Sequence, residues 1–444
     1  MSGSNSPLQA DARYAENGRI EVTGRVFSLR SAWRVLPGVA IAAALGLCAP
    51  SARAQPKPAD AALQPTTRIV LEPLGFAAQG NFYMTYRLSS ASMGFLDNDH
   101  LLFTFRPSGL MKRIPGDDDG NEDQDIRAVV VEIGTGKVDR KTDWRMHDRS
   151  RYMWPLADGK FLIRIRNSFF LTDNSLELKP YLTSEDALRA VQVSPDRSLI
   201  ALETDDPGAP MPAQMEGKLS DPPVQKRVRI LIVPAGERTP IAASEARSTM
   251  VLPLVQGGML EALEGPKAGT WAIREVLFEG DPKVVANVKS ACQPTLSPVS
   301  GQVTLVVGCY QGMNDQQVVA LAKDGRQLWQ QRWQNRYIWP TFDYAQNGSR
   351  FAYATLDLGR GVSALDPFDS GDVQSQMVGV FDTESGKLEL VKDATPVMSA
   401  GQNYALSADG RRFAIVRQGA IEVYDLPPVP ASAPVPADPS QAKK

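Results

Sequence analysis

From residue 67 onward the chain alternates short apolar runs with clusters of Gly, Asp, Asn and Pro. No long stretch repeats its hydrophobic positions at the 3.6-residue period of a helix. Short β-branched and aromatic runs bounded by turn residues are strand signals. One unit recurs, a strand, a tight turn and a second strand. It stands in Met93–Arg106 (MGFLDNDHLLFTFR), Met153–Arg164 (MWPLADGKFLIR), Val191–Leu202 (VQVSPDRSLIAL), Cys292–Val307, Trp339–Tyr353 (WPTFDYAQNGSRFAY) and Tyr404–Val416 (YALSADGRRFAIV). A strand ending in a Gly turn usually follows, as in Ala128–Val138 (AVVVEIGTGKV), Val318–Leu328 (VVALAKDGRQL) and Val378–Leu388 (VGVFDTESGKL). Val251–Val288 gives a less regular unit of the same kind. Joined, the two landmarks make a four-stranded antiparallel unit, and seven such units occupy about 360 residues, near 51 each.

That spacing is close to the ~40–50 residues of a propeller blade. The phrases SPDRSLIAL (194–202), SADGRRFAIV (407–416) and VFDTESGK (380–387) resemble bacterial WD-repeat-like, YVTN-type and quinoprotein-like β-propellers. The resemblance is one of fold, and proteins of many functions share it. It implies an all-β chain, a β-propeller of seven four-stranded blades, with six or eight as the alternatives. The last unit has strands near Asn403–Ser407, Arg412–Arg417 and Ala420–Leu426, then Pro427-Pro428. Proline cannot extend a ladder, so this unit lacks a fourth strand. Arg68–Glu72 (RIVLE) is a spare strand near the other terminus and is expected to complete the last blade.

The ends read differently. Val35–Ala49 is an apolar run of 15 residues, preceded by Arg30 and Arg34 and followed by Ala52-Arg53-Ala54. This is the plan of a secretory signal peptide, and the run falls short of the ~20 apolar residues of a membrane span. Residues 1–54 are therefore expected to be a leader cleaved after Ala54. Asp11, Glu16 and Glu21 are foreign to the basic start of a leader, which places the translation start nearer Val22 or Val26. Residues 55–66 form a spacer, 67–426 the propeller, and 427–444 a Pro/Ala-rich tail with almost no core-forming residues.

Composition narrows the function. The chain of 444 residues carries 48 Lys and Arg against 50 Asp and Glu, and removal of residues 1–54 leaves a net charge of −5. A strongly basic nucleic-acid binder is excluded. There are two histidines, His100 and His147, which leaves little room for His-based zinc sites or a Ser-His-Asp enzyme. Loss of the leader takes Cys48 and leaves Cys292 and Cys309. If Ser300-Gly301 is a two-residue hairpin loop, positions whose numbers total 601 face one another, these two cysteines among them. A cross-strand disulfide is expected, which suits an exported protein.

Candidate chemistry is sparse. The chain lacks G-x-S-x-G, H-E-x-x-H and C-x-x-C. Gly134-Thr135-Gly136-Lys137 has neither the spacing nor the helix of a phosphate loop and reads as a hairpin turn. His147-Asp148, set among Arg145, Arg149 and Arg151, is the one His-acid neighbour pair that could act as an acid/base, while His100, in the strand-turn Asp99-His100-Leu101, reads as structural. Asp117, Asp119 and Asp123 belong to an acidic run that could wrap Ca²⁺, the one cofactor weighed; Pro115 at the first ligand position departs from the calcium-loop pattern, and a solvated hairpin tip is the plainer reading. Ala322–Trp329 is similar to the outer-strand tryptophan motif of quinoprotein propellers, without their adjacent cysteines.

The most specific signal is a duplication. Trp144 is followed seven residues on by Arg151-Tyr152-Met153-Trp154-Pro155, and Trp329 seven residues on by Arg336-Tyr337-Ile338-Trp339-Pro340. Each copy lies where one blade passes to the next. In a propeller these junctions share a face with the connections after second strands, three of which are long: Pro107–Asp125, Thr204–Lys226 and Asp357–Gln376. Arg151, Tyr152, Trp154, Arg336, Tyr337 and Trp339 could clamp a ligand across the channel through flat aromatic faces and planar guanidinium forks. The structural alternative wedges these residues between blades. The expectation for the whole is a periplasmic or secreted, non-catalytic propeller that binds a protein, peptide or glycan on its long-loop face, with no membrane insertion after leader cleavage. The alternatives are an exported hydrolase, lyase or oxidoreductase using channel acids and Arg, and a structural part of an envelope assembly.

Overall fold

Short strands joined by tight turns can satisfy their backbone groups only by pairing with their neighbours. In the computed structural model they do so in seven antiparallel sheets of four strands. The structure describes residues 63–77, 91–107, 123–147, 151–206, 228–246, 251–311, 316–333, 337–359, 372–398 and 402–428. Most of each of the three long loops lies outside these residues.

After β1 (Thr67–Val70), the first blade holds β2 (Ala91–Phe95), β3 (His100–Phe105), β4 (Gln124–Glu132) and β5 (Val138–Met146). The second holds β6 (Met153–Pro155), β7 (Phe161–Ile165), β8 (Ser168–Thr172) and β9 (Lys179–Thr183). The third holds β10 (Leu188–Val193), β11 (Leu199–Asp205), β12 (Val228–Pro234) and β13 (Ala242–Ala246). The fourth, the irregular unit, holds β14 (Leu254–Val255), β15 (Gly258–Glu264), β16 (Thr270–Leu277) and β17 (Lys283–Lys289). The fifth holds β18 (Thr295–Pro298), β19 (Val303–Cys309), β20 (Gln316–Ala322) and β21 (Gln327–Trp333). The sixth holds β22 (Tyr337–Tyr344), β23 (Arg350–Leu358), β24 (Val373–Asp382) and β25 (Leu388–Ala394), and the seventh β26 (Tyr404–Leu406), β27 (Arg412–Arg417) and β28 (Ala420–Asp425). The arrangement is a seven-bladed β-propeller.

The core lies between blades rather than within one sheet. Ile69, Ala414, Val416, Ile421 and Val423 of the seventh blade pack against Phe103, Phe105, Val129 and Val131 of the first. Phe76 sets its ring edge-on against both Phe103 and Phe105 at 5.5 Å. Middle strands are covered on both faces, so β23 is buried at every position and reads as one apolar run. The rim strand β5 is exposed along most of its length.

Closure follows the expectation. β1 pairs antiparallel with β28, with Thr67 opposite Val423 and Val70 opposite Ala420. The Thr66 N–H donates to the Val423 carbonyl and the Leu71 N–H to that of Gly419, at 2.8 and 2.9 Å. Arg68 and Arg417 both flank the nearly buried carboxylate of Glu422 at 3.6 Å. Arg350 is fully buried and ties the sixth blade to the seventh. It pairs with Glu389 at 2.5 Å and donates to the carbonyls of Gly410 and Pro427 at 2.8 and 2.6 Å.

The disulfide is present, Cys292 to Cys309 with Cα atoms 5.4 Å apart, but the register behind its expectation is corrected. Thr295 faces Val307 and Pro298 faces Thr304, one position away from the two-residue-loop register. The Val299 N–H bonds the Val303 carbonyl, and the Ser300 hydroxyl accepts from the N–H groups of Gln302 and Val303, so Ser300–Gln302 form a three-residue loop. Cys292 lies before β18, where the chain bends around Ser290. That hydroxyl donates to the Cys292 carbonyl at 2.6 Å and accepts from the Cys309 N–H at 2.9 Å.

Two outcomes are expected from these contacts. Ile69→Ala costs about 2–4 kcal/mol in urea unfolding, the usual loss for a buried Ile, and deletion through Leu71 yields aggregates because β28 becomes an open edge. Cys292→Ser with Cys309→Ser lowers stability by about 3 kcal/mol, as for other loops of this size. An unchanged unfolding midpoint in either case contradicts the assigned role.

Candidate functional site

The first strands of the blades face a central channel, and the chemistry gathers there. A cavity of about 170 Å³ is lined by Arg151, Trp154, Arg197, Asp343 and Tyr344, with residues of β10 between them. Arg151 comes in from the long-loop end, just before β6. Arg197 comes from the short-turn end, between β10 and β11.

Arg151 is exposed, and its guanidinium sits 5.7 Å from the ring centroid of buried Trp154, a cation–π arrangement. Its Nη2 donates to Gln402 Oε1 and its Nε to the Met153 carbonyl, both at 3.3 Å. No carboxylate among the described residues pairs with it.

Arg197 is the unusual residue. It is 6% exposed, yet among the described residues no carboxylate lies within ion-pair distance of it. Its Nη2 donates to the Tyr344 carbonyl across the channel at 3.3 Å. Burial pulls its guanidinium below the usual value, opposed by the charge of Asp343. Its backbone has φ +63°, a conformation that L-residues avoid. The turn forces it. Asp196 Oδ1 accepts from the Ser194 hydroxyl at 2.5 Å and the Ser198 N–H at 3.1 Å, and the Arg197 N–H closes on the Ser194 carbonyl at 2.8 Å. The corresponding turns of the second, sixth and seventh blades carry Gly159, Gly348 and Gly410 at this position, with φ of 66°, 72° and 70°. The third blade alone of these four puts a charged side chain where its sisters put glycine.

Asp343 lines the same cavity as the two arginines, 6% exposed, with Oδ2 accepting the Leu406 N–H at 2.7 Å. Burial pushes its carboxyl above the usual range, and the charges of Arg197 and Arg151 oppose that. Burial likewise raises the hydroxyls of Tyr344 and Tyr404, the latter bonded to Thr341 at 2.9 Å.

The duplicated motif divides between wall and channel. Trp144 donates its indole N–H to the Leu176 carbonyl at 3.1 Å, and Trp329 donates to that of Thr383 at 2.9 Å. Each therefore locks a rim strand to the third turn of the next blade. Trp329 also stacks on Phe351, 6.2 Å away and 9° from parallel. Tyr152 is fully buried with its hydroxyl 2.6 Å from that of Thr104 in the first blade, so it wedges between blades and does not face the channel. Arg151 and Trp154 do line the cavity. Arg336 lies outside the described residues. Tyr337 and Trp339 belong to β22, which borders the same cavity through Phe342–Tyr344, but their side chains lie outside the description.

The remaining candidates fall elsewhere. Asp123 accepts from Arg145 Nε at 2.7 Å, meets His147 Nδ1 at 2.9 Å and Arg166 Nη2 at 3.4 Å. Burial pushes its carboxyl up, but these cationic and hydrogen-bonding partners outweigh it and hold the group below the usual range. Asp117 and Asp119 lie outside the described residues, as does Asp148. No group of three or more potential metal ligands occurs among the described residues. His100 bridges Asp97 and Asp139 at 2.9 and 3.3 Å, tying the first hairpin to the rim. Gly134–Lys137 is the turn between β4 and β5, with Gly136 at φ +68°.

No family model matches the chain, and no curated protein matches it. Solved structures are similar in fold. The acylaminoacyl peptidase of Pyrococcus horikoshii aligns at TM-score 0.46 and 10% identity, over 78% of this chain and 52% of its own. A putative TolB from Agrobacterium tumefaciens aligns at 0.36 and 15%, over 65% and 95%. The hydrazine synthase of Kuenenia stuttgartiensis aligns at 0.33 and 11%, over 76% and 77%. The chain thus spans about half the length of the peptidase. At these scores none carries an argument about function.

Arg197→Gly restores the glycine of the sister turns and removes a buried charge. Relief of the left-handed backbone is expected to raise stability by about 1 kcal/mol, read from urea unfolding. A loss of stability would mean that Arg197 is held there for the fold alone.

Proposed function

We propose that the chain is an exported, non-catalytic β-propeller that binds a protein, peptide or glycan ligand at the mouth of its channel, on the long-loop face. One observation carries the reading: Arg151, with no carboxylate partner among the described residues, is laid over Trp154 at the edge of the cavity. A planar cation against an aromatic face offers both a hydrogen-bonding fork and a flat apolar surface to a ligand. Trp154 sits on the first strand β6 and Arg151 just ahead of it, at the end of the blades from which the connections after the second strands depart.

Export is supported by the apolar run Val35–Ala49 with its flanks, and by the Cys292–Cys309 disulfide. No helix of the described residues is long and apolar enough to cross a membrane. The enzymatic alternative has less to stand on. Asp343 is the sole acid among the described residues lining the cavity, and one of its oxygens is held by a backbone N–H.

An array of peptides and oligosaccharides probed with the full chain tests this. Ligands found on it are expected to lose at least tenfold in affinity to Arg151→Ala, a change at an exposed side chain that leaves the melting temperature in place. Ligands that bind Arg151→Ala as well as the parent would remove the channel mouth as the site.

A further inference from the structure

We infer that the group this channel receives is a single carboxylate, held between Arg151 and Arg197. The inference rests on the channel-mouth reading above and names the ligand chemistry of that site.

Three observations lead to it. Arg197 is almost wholly buried, lines the cavity, and makes one hydrogen bond, to a backbone carbonyl. A guanidinium has five N–H donors and ordinarily finds a carboxylate when buried. Here the charge of Asp343 acts on it through space without closing an ion pair. Second, Arg197 occupies a position that three sister turns fill with glycine, so the fold tolerates a strained backbone in order to place this side chain. Third, the described residues lining the cavity include two cations and one acid, Arg151, Arg197 and Asp343, and no other charged group among them. Together these three carry a net charge of +1 with Asp343 ionised.

That balance selects among anions. One carboxylate neutralises the site. A phosphate dianion overfills it and meets Asp343 at close range, where like charges are costly in a desolvated pocket. The size agrees. About 170 Å³ admits a chain terminus or a small acid, and is below the ~300 Å³ at which drug-sized ligand pockets begin. Arg151 at the mouth supplies the first contact and Arg197 the deep one, and Trp154 covers the apolar stem behind the carboxylate.

A free carboxylate can come from a peptide C-terminus or from a small organic acid. Calorimetry on the full chain distinguishes them with three probes: trialanine, trialanine C-terminal amide and propionate. Trialanine is expected to bind at least tenfold more tightly than its amide; propionate binding as tightly would point to a small free acid, and weaker propionate to a peptide terminus. Arg197→Gly is expected to lose the preference for the free acid while melting at the parent temperature or above it, and Arg197→Lys to retain part of it. Equal binding of acid and amide, no binding of any probe up to millimolar concentration, or an acid preference that survives Arg197→Gly overturns the inference. The broader reading fails separately. Array ligands that depend on Arg151 but are indifferent to amidation would keep the channel-mouth site and discard the carboxylate.

Discussion

Every blade depends on ring closure, and closure rests on four residues of backbone pairing. Thr67–Val70 are separated from their partner strand by some 350 residues, yet they supply the rim of the last sheet. Without them β28 would present an unpaired edge and the ring could spring open between its ends. The pairing is reinforced from both sides. Ile69 enters the core shared by the seventh and first blades, and Glu422 under that strand draws in Arg68 and Arg417. Arg350 holds the other flank, gathering Glu389, the Gly410 turn and the chain end at Pro427.

The channel inherits its order from that closure. First strands as short as the three residues of β6 and β26 have little pairing of their own, so the neighbouring blades fix their positions. The tryptophans of the rim perform part of this work. Trp144 and Trp329 each reach one blade forward to a turn carbonyl, which ties adjacent blades together. The result is a rigid wall carrying a few polar groups whose pairing is incomplete. Arg197 and Asp343 are both buried and feel each other's charge without forming an ion pair.

Much of the fold was legible because propeller units repeat the same physical solution. Gly and Asp at fixed offsets in the turns revealed the blades, and Pro427-Pro428 revealed the missing rim strand. The cysteine pairing was legible, but its register was not, since sequence does not fix whether a hairpin loop holds two or three residues. The duplicated motif was visible as a pattern, yet pattern alone could not say which neighbour each side chain meets. Tyr152 found Thr104 in the preceding blade, whereas Arg151, one residue away, found the channel. Arg197 carries a signal in the sequence as well: aligning LADGK, SPDRS, AQNGS and SADGR shows one arginine in a glycine position, but only the fold shows that this position faces the channel.

A co-crystal structure of the full chain with trialanine tests the central claim most directly. The account predicts the terminal carboxylate within hydrogen-bond distance of Arg197, with Arg151 still over Trp154 and closing on the same group. A peptide bound on the rim or on the outer blades, with the channel unchanged, would contradict it.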